Sequence, residues 1–359
     1  MSWPIHGSNP KYIYQALGIE SPEQYIDFSA NINPLGPPES IRENWSYFYE
    51  QITVYPDPYS MDLRIKVAKL LNVDKEWILF GNGASELISL IGRMLYQKKV
   101  MIIQPAFSEY EGACSVNECE IFYFQLVEPD WRLEVENFKK KVIDVDAVFL
   151  CNPSNPTGVY YPLQTIIDIA MECKKNNCLL ILDEAFYDYV DGYESMISYL
   201  EDYSNVIILR SLTKMYAIPG LRLGYMVANP DIILKIKAFQ PHWSVNSVAM
   251  LAGELCIDNE VFQEKTKSYI LKEKDKLFTY FESEGFDHSP SKTNYYILRD
   301  SREEDQMPFF IFLLTKGIVP RHTRNFSGLE GRWLRFAIKG SIENSKLIEA
   351  LEQWRRHRC

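Results

Sequence analysis

From about residue 60 to 240 the apolar positions fall into two alternating patterns. Short unbroken runs, VMIIQ (100–104), DAVFLC (146–151), CLLILD (178–183) and NVIILR (205–210), are rich in β-branched and aromatic residues and end at polar turn residues, which predicts strands. A strand with one wet face would alternate. Runs that are apolar at nearly every position predict strands covered on both sides, the pattern of a mostly parallel sheet between helices. The stretches between them carry the helical period instead. In PLQTIIDIAMECKKNN (162–177) apolar residues recur at spacings of three and four, and the segment closes on lysines and asparagines. Strand and helix patterns in alternation predict an α/β fold.

After residue 262 the pattern changes. A charged helical stretch, QEKTKSYILKEKDKLFTYFESEG (263–285), is followed by short β-like runs at TNYYILR (293–299) and WLRFAI (333–338), which predicts a smaller α+β domain. The expected division is a large domain over 45–245 and a small one built from 1–44 and 246–359. A length of 359 residues suits about two domains of ordinary size.

Composition narrows the classes. Hydrophobic residues at 47% and charged residues at 24% are the balance of a soluble globular chain. A formal charge of -10 argues against nucleic acid and against anionic membrane surfaces as partners, because both attract basic proteins. Any anionic ligand must therefore be held by a local cluster of donors, which makes individual arginines informative. No apolar run has signal-peptide or membrane-spanning form, so a cytoplasmic protein is expected. The 7 cysteines lack paired CxxC spacing, so neither a metal site nor a disulfide framework is expected. Cys151 sits nearest the candidate chemistry and reads as packing at a strand end.

Ligand groups in open α/β sheets collect where strands end at their carboxyl edge. DAVFLC runs into NPSNPTG (152–158), CLLILD ends on Asp183, and VIILR runs into SLTKMYAIPGLRLGY (211–225), so neighbouring parallel strands would bring Asn155, Asp183 and Lys214 into one crevice. A lysine amine can form an imine with an aldehyde. A carboxylate can hold a pyridinium nitrogen protonated, and an amide can donate to a ring phenolate. Together these needs fit pyridoxal 5'-phosphate (PLP). Taken singly, a solvated lysine, a capping aspartate and an NPTG turn are each ordinary. GNGASELISLI (81–91) adds a Gly-rich turn opening a helix at Gly83, Ala84 and Ser85, a place where free N–H groups and the helix dipole attract phosphate. Ser211, Thr213 and Arg222 can complete that site. Phe107 in QPAFSEY can stack on the ring, or can be core, and Tyr110 is the other stacking candidate.

NPSNPTG, DEAF (183–186) and SLTKMYAIPGLRLGY resemble the fold-type I PLP enzymes of the class I/II aminotransferase group, over almost the whole chain. The resemblance implies a PLP-dependent transferase-like fold. Two subfamilies compete within it, histidinol-phosphate aminotransferase and the L-threonine-O-3-phosphate decarboxylase of cobalamin biosynthesis. HGSN (6–9) and DFSANINPLGPP (27–38) are closer to the decarboxylase, since the aminotransferase usually reads NENP there. Several roles follow from the resemblance. Tyr55, in VYPDP (54–58), matches a tyrosine that reaches the cofactor phosphate of a neighbouring subunit, which implies a homodimer. Arg335 matches the residue that holds the substrate α-carboxylate, and Arg321 one that binds its distal phosphate, with His6, Ser8 and Asn33 near that end. Arg324 has no such match and reads as a solvated charge.

Phe186 stands where many aminotransferases carry a tyrosine, which leaves Asn155 alone on the phenolate. Decarboxylation and transamination diverge by which Cα bond stands perpendicular to the ring. The resemblance favours release of CO2 from a phosphorylated amino acid, with an aminotransferase as the alternative. A third alternative, a non-catalytic PLP-binding module, is opposed by the filled catalytic positions.

Overall fold

The unbroken apolar runs are strands of one sheet in the structure, a computed structural model that describes residues 3–357. Its seven strands are β1 (Ile78–Asn82), β2 (Lys99–Gln104), β3 (Glu120–Gln125), β4 (Ala147–Cys151), β5 (Leu179–Asp183), β6 (Val206–Ser211) and β7 (Leu223–Ala228). Across the sheet they run β1-β7-β6-β5-β4-β2-β3. The strands from β6 to β3 are parallel, while β7 lies antiparallel to both β6 and β1. Every residue of β4, β6 and β7 is buried, as their continuous apolar sequences require. The edge strand β3 is exposed or half-buried throughout, although its sequence EIFYFQ carries four apolar residues in a row.

Helices α1 (Ala84–Met94), α2 (Ser108–Ser115) and α3 (Leu163–Lys175) connect these strands. Side chains on β4 alternate between two apolar layers. Val148 and Leu150 join the larger core, while Ala147, Phe149 and Cys151 join the layer that α1 and α2 cover with Leu87, Ile91 and Tyr110. Each such buried large side chain contributes about 1.5–3 kcal/mol relative to exposure.

The second sheet is antiparallel and has four strands, β8 (Phe286–His288), β9 (Tyr295–Asp300), β10 (Arg321–His322) and β11 (Leu334–Ala337), in the order β10-β11-β9-β8. The charged stretch before it is α4 (Glu260–Glu284). It starts where Asn259 accepts a hydrogen bond from Phe262 N at 3.1 Å and stops at Gly285, whose φ of 68° suits glycine. Near the N-terminus, Ile26–Asp27 pairs in parallel with Ile318–Val319, and Tyr14 donates to Leu314 O at 2.9 Å. These contacts bring the first residues of the chain beside its last strands.

Among the described residues no helix is long and apolar enough to cross a membrane and no cluster could hold a metal ion. The six described cysteines are free, and Cys359 lies outside the described residues.

Candidate active site

The carboxyl ends of β4, β5 and β6 open onto one cleft, with Cys151 level with Asp183 and Asp183 level with Leu209 across the sheet. That register lines the cleft with Asn155, Asp183 and Lys214, as the strand ends predict. Ser211, Thr213 and Arg222 line it as well, together with Ala84, Ser85 and Phe107.

One end of the cleft suits a phosphate. Gly83 is the N-cap of α1 with φ 76° and ψ 165°, a conformation side chains avoid, and a Cβ there would run into the Arg222 guanidinium. Arg222 Nη2 donates to Ser85 Oγ at 2.9 Å. The Ser211 and Thr213 hydroxyls lie 2.7 Å apart. A guanidinium, three hydroxyls and the N-terminus of an 11-residue helix thus converge, which suits a dianion despite the acidic balance of the chain.

Asp183 sits on the floor of the cleft, 4% exposed. Its Oδ1 accepts from Ala185 N at 3.0 Å and its Oδ2 from the Tyr110 hydroxyl at 2.5 Å. Burial pushes the Asp183 carboxyl up, and the Tyr110 hydrogen bond pulls it back towards the charged form. Tyr110 is itself held well above the usual phenol range by burial, so it stays a donor. Its ring lies flat against Phe149 at 5.1 Å and edge-on to Phe107 at 5.9 Å. Phe107 therefore faces the cleft and Tyr110 backs Asp183. Desolvation, and then the Arg335 and Arg222 charges, push the Lys214 amine down to about 8 against the pull of Asp183. A useful fraction is neutral, and nucleophilic, near neutral pH.

At the other end stand two arginines. Arg321 on β10 and Arg335 on β11 are register partners, 3% and 7% exposed. Arg335 donates to Asn155 Oδ1 at 2.6 Å and to Ser29 O at 2.8 Å, which leaves the Asn155 amide N–H groups free to face the cleft. Arg321 donates to Asn325 Oδ1 at 2.7 Å, to Pro4 O at 3.3 Å and to Ile5 O. Its Nη1 also lies 2.5 Å from His322 Nε2. Burial, then Arg321, pushes the His322 imidazole down to about 3, so it stays neutral. Every hydrogen bond of these two guanidiniums among the described residues ends on a neutral group. His6 and Ser8 also line this end, with His6 Nε2 2.8 Å from Glu109 Oε1.

Asn33, expected near the substrate, lies elsewhere, and Tyr55, expected at a neighbouring subunit's cofactor, lies outside this chain's own cleft. Asn33 does not line the cleft: its amide donates to Met215 O at 2.7 Å and Thr266 Oγ1 at 2.9 Å while its Oδ1 accepts from Leu35 N at 3.0 Å, so its polar atoms are occupied in holding the loop behind Lys214. Tyr55 is 81% exposed, against Trp243 at 5.3 Å, outside this chain's cleft. Arg324 is exposed, as expected, and lies over the Trp3 ring at 4.7 Å. Cys151 donates to Pro153 O at 3.1 Å, its thiol pushed up by burial, which makes it packing. Phe186 packs edge-on to Tyr295 at 4.7 Å.

Sequence reasoning missed the role of Tyr110 and the bidentate Glu184–Arg210 pair, in which Arg210 Nε and Nη2 donate to Glu184 Oε2 at 2.9 and 2.8 Å. The signal of the pair, a charge beside each of two strand ends, means nothing until the strands are paired.

The family model for aminotransferase class I and II matches residues 23–353. The chain belongs to this family. PLP is the cofactor of its enzymes, and the cleft supplies the kinds of group it needs: a cradle that a Cβ would fill, a buried carboxylate and a lysine amine of lowered pKa. Among aminotransferase class I and II proteins, the threonine-phosphate decarboxylase of Salmonella typhimurium is similar at 38% identity over 96% of this chain and 95% of its own. Two solved structures are similar in fold. The histidinol-phosphate aminotransferase from Clostridium acetobutylicum has a TM-score of 0.87 at 31% identity, over 92% of this chain and 99% of its own. The L-threonine-O-3-phosphate decarboxylase from Porphyromonas gingivalis has a TM-score of 0.81 at 25% identity, over 92% and 99%.

Proposed function

We propose that the protein is a PLP-dependent decarboxylase of L-threonine O-3-phosphate, releasing CO2 and 1-aminopropan-2-yl phosphate. The observation that carries the reading is the pair of buried arginines, Arg321 and Arg335, side by side and hydrogen-bonded to neutral groups alone among the described residues. Buried charges that no carboxylate hydrogen-bonds cost several kcal/mol each. A substrate bearing both a carboxylate and a phosphate supplies two anions in one molecule. The relative at 38% identity bears a name for that substrate, which supports the same choice.

Bound in the cleft, PLP supplies an electron sink for the bond broken at the substrate Cα. Arg222, Ser85, Ser211, Thr213 and the backbone at Gly83 and Ala84 would hold its phosphate. Asp183 would hold the ring nitrogen protonated, Asn155 would donate to the phenolate oxygen and Phe107 would stack on the ring. Arg335 grips the substrate α-carboxylate and orients the bond to it, while Arg321, with His6 and Ser8, takes the phosphate. The Lys214 amine, in its protonated form, would deliver the proton that takes the place of CO2 on Cα. Residues 45–245 form the unit that holds the cofactor, and 1–44 with 246–359 form the unit that brings the arginines.

The site is shared in a homodimer. Trp45, Tyr49, Ile52, Val54, Tyr55 and Trp243 are all more than half exposed, an apolar surface of the kind a partner covers. Tyr55 on that surface would reach the cofactor phosphate of a second copy.

The test is to incubate the purified holoenzyme with L-threonine O-3-phosphate and follow CO2, with histidinol phosphate plus 2-oxoglutarate in parallel. CO2 from the first is expected. Glutamate from the second without CO2 from the first overturns the reading in favour of the aminotransferase that the 31% identical structure represents.

A further inference from the structure

We propose that Ser29, oriented by Asp27, is a positioning residue that ties the N-terminal strap of residues 3–8 to Arg335 and so sets the selectivity for a phosphorylated substrate. The inference rests on the decarboxylase reading for its substrate and on geometry for the tie.

Asp27 Oδ1 accepts from both Ser29 N, at 2.8 Å, and Ser29 Oγ, at 2.5 Å. The hydroxyl proton is thereby committed, and the oxygen is left as an acceptor. It receives Ser8 N at 2.9 Å. On the other side of the same residue the carbonyl accepts Arg335 Nη2 at 2.8 Å. One 5% exposed serine thus joins a carboxylate, the strap and the arginine of the carboxylate end. Gly7 fits this contact, since a Cβ there would strike both the carbonyl and the hydroxyl of Ser29.

The strap in turn bears on the phosphate end. Pro4 O and Ile5 O are acceptors for the Arg321 guanidinium, and the Trp3 ring meets His322 edge-on at 4.8 Å. Asp27 is itself anchored, level with Val319 in the parallel pair that leads into Arg321. A displaced Ser29 would therefore move His6 and Ser8 away from Arg321 and loosen Arg335 at the same time. The separation of the two anion-binding ends, and hence the length of substrate that spans them, depends on this residue. Neither Asp27 nor Ser29 needs to touch the reacting atoms.

Holoenzyme variants Ser29→Ala, Asp27→Ala and Asp27→Asn test the tie. Amide hydrogen exchange of the strap is read without substrate, and KM and kcat are read with L-threonine O-3-phosphate. In Ser29→Ala and Asp27→Ala the strap should exchange about tenfold faster and KM should rise about tenfold, the size of one lost hydrogen bond that positions a charge, with kcat and PLP retention close to the parent values. Asp27→Asn keeps an oxygen that can accept both bonds and should restore parent behaviour. Unchanged exchange in both alanine variants, or a joint fall of kcat and PLP retention, overturns the proposal. A parent enzyme that does not turn over the phosphorylated substrate refutes the decarboxylase reading, while the exchange measurement still decides the tie.

Discussion

Replacing Arg210 by methionine keeps much of the side-chain volume and removes the charge. Arg210 is 5% exposed at its side chain and its partner Glu184 0%. The guanidinium makes two hydrogen bonds to Glu184 Oε2, at 2.9 and 2.8 Å, and a third to Ser195 Oγ at 3.0 Å, with its carbon 3.7 Å from the centre of the Tyr187 ring. Without it, Glu184 is a carboxylate shut away from water with the Ser195 hydroxyl left as a partner. Breaking a buried pair on one side costs about 3–5 kcal/mol, or roughly two to four powers of ten in the folding equilibrium. Removing both charges, in Glu184→Leu with Arg210→Met, should recover most of that loss, because apolar side chains of similar size can replace a buried pair at little cost. Urea denaturation at one protein and one PLP concentration measures all four corners of the cycle, since ligand and subunit association both shift apparent stability. The reasoning fails if Arg210→Met costs less than about 1 kcal/mol, or if the double variant is no more stable than either single one. The pair matters to the site because Glu184 follows Asp183 and Arg210 precedes Ser211, so the same two residues clamp the strand ends that carry cofactor contacts.

Three further outcomes are expected. The rate of PLP uptake by cofactor-free protein should climb as pH rises through about 8, where the Lys214 amine loses its proton, and Lys214→Ala should abolish the near-visible absorption band; a climb only near the ordinary lysine value of about 10.4 would remove the argument from burial and from Arg335 and Arg222. The sign for stability is the same, because a lysine whose folded pKa is lowered binds fewer protons folded than unfolded, so this group's contribution improves as pH rises from about 8 towards the unfolded value. Arg321→Ala should weaken phosphorylated substrates far more than it weakens PLP, and equal losses in titrations of both would refute two separate phosphate sites. Gly83→Ala puts a Cβ into the Arg222 guanidinium at φ 76°. It should cost about 1–3 kcal/mol in PLP affinity or stability, and unchanged values for both in absorbance titration and urea melts would show that the cradle does not need glycine.

Much of the site was legible because its residues belong to short motifs at strand ends. The runs ending at Cys151, Asp183 and Arg210 proved to be adjacent parallel strands, so Asn155, Asp183 and Lys214 meet for the reason their spacing predicts. The helices at 163–175 and 260–284 were equally legible, since amphipathic period and end signals are local. Strand β7 begins inside the lysine motif. Its antiparallel place between β1 and β6 follows from pairing that no window of sequence contains. The place of EIFYFQ as the half-exposed edge strand β3 likewise follows from pairing, since its IFYF stretch has the apolar run of a buried strand.

What the sequence determined by itself was the strand–helix alternation and the strand-end motifs whose groups suit PLP, while the roles of Arg321 and Arg335 follow from the family resemblance and their side-by-side placement from strand register. Local periodicity and motif chemistry suffice for the alternation and the motifs, because each run or motif spans only a few positions. Tertiary structure alone decided what stands behind those groups: Tyr110 on Asp183, Glu184 on Arg210, Asn33 on the loop of Lys214 rather than on substrate, and Asp27 and Ser29 on the strap. The physical reason is that a buried polar atom takes whichever partner the packing brings within hydrogen-bond reach. For these atoms that partner is set by the pairing and packing of whole elements rather than by the local pattern.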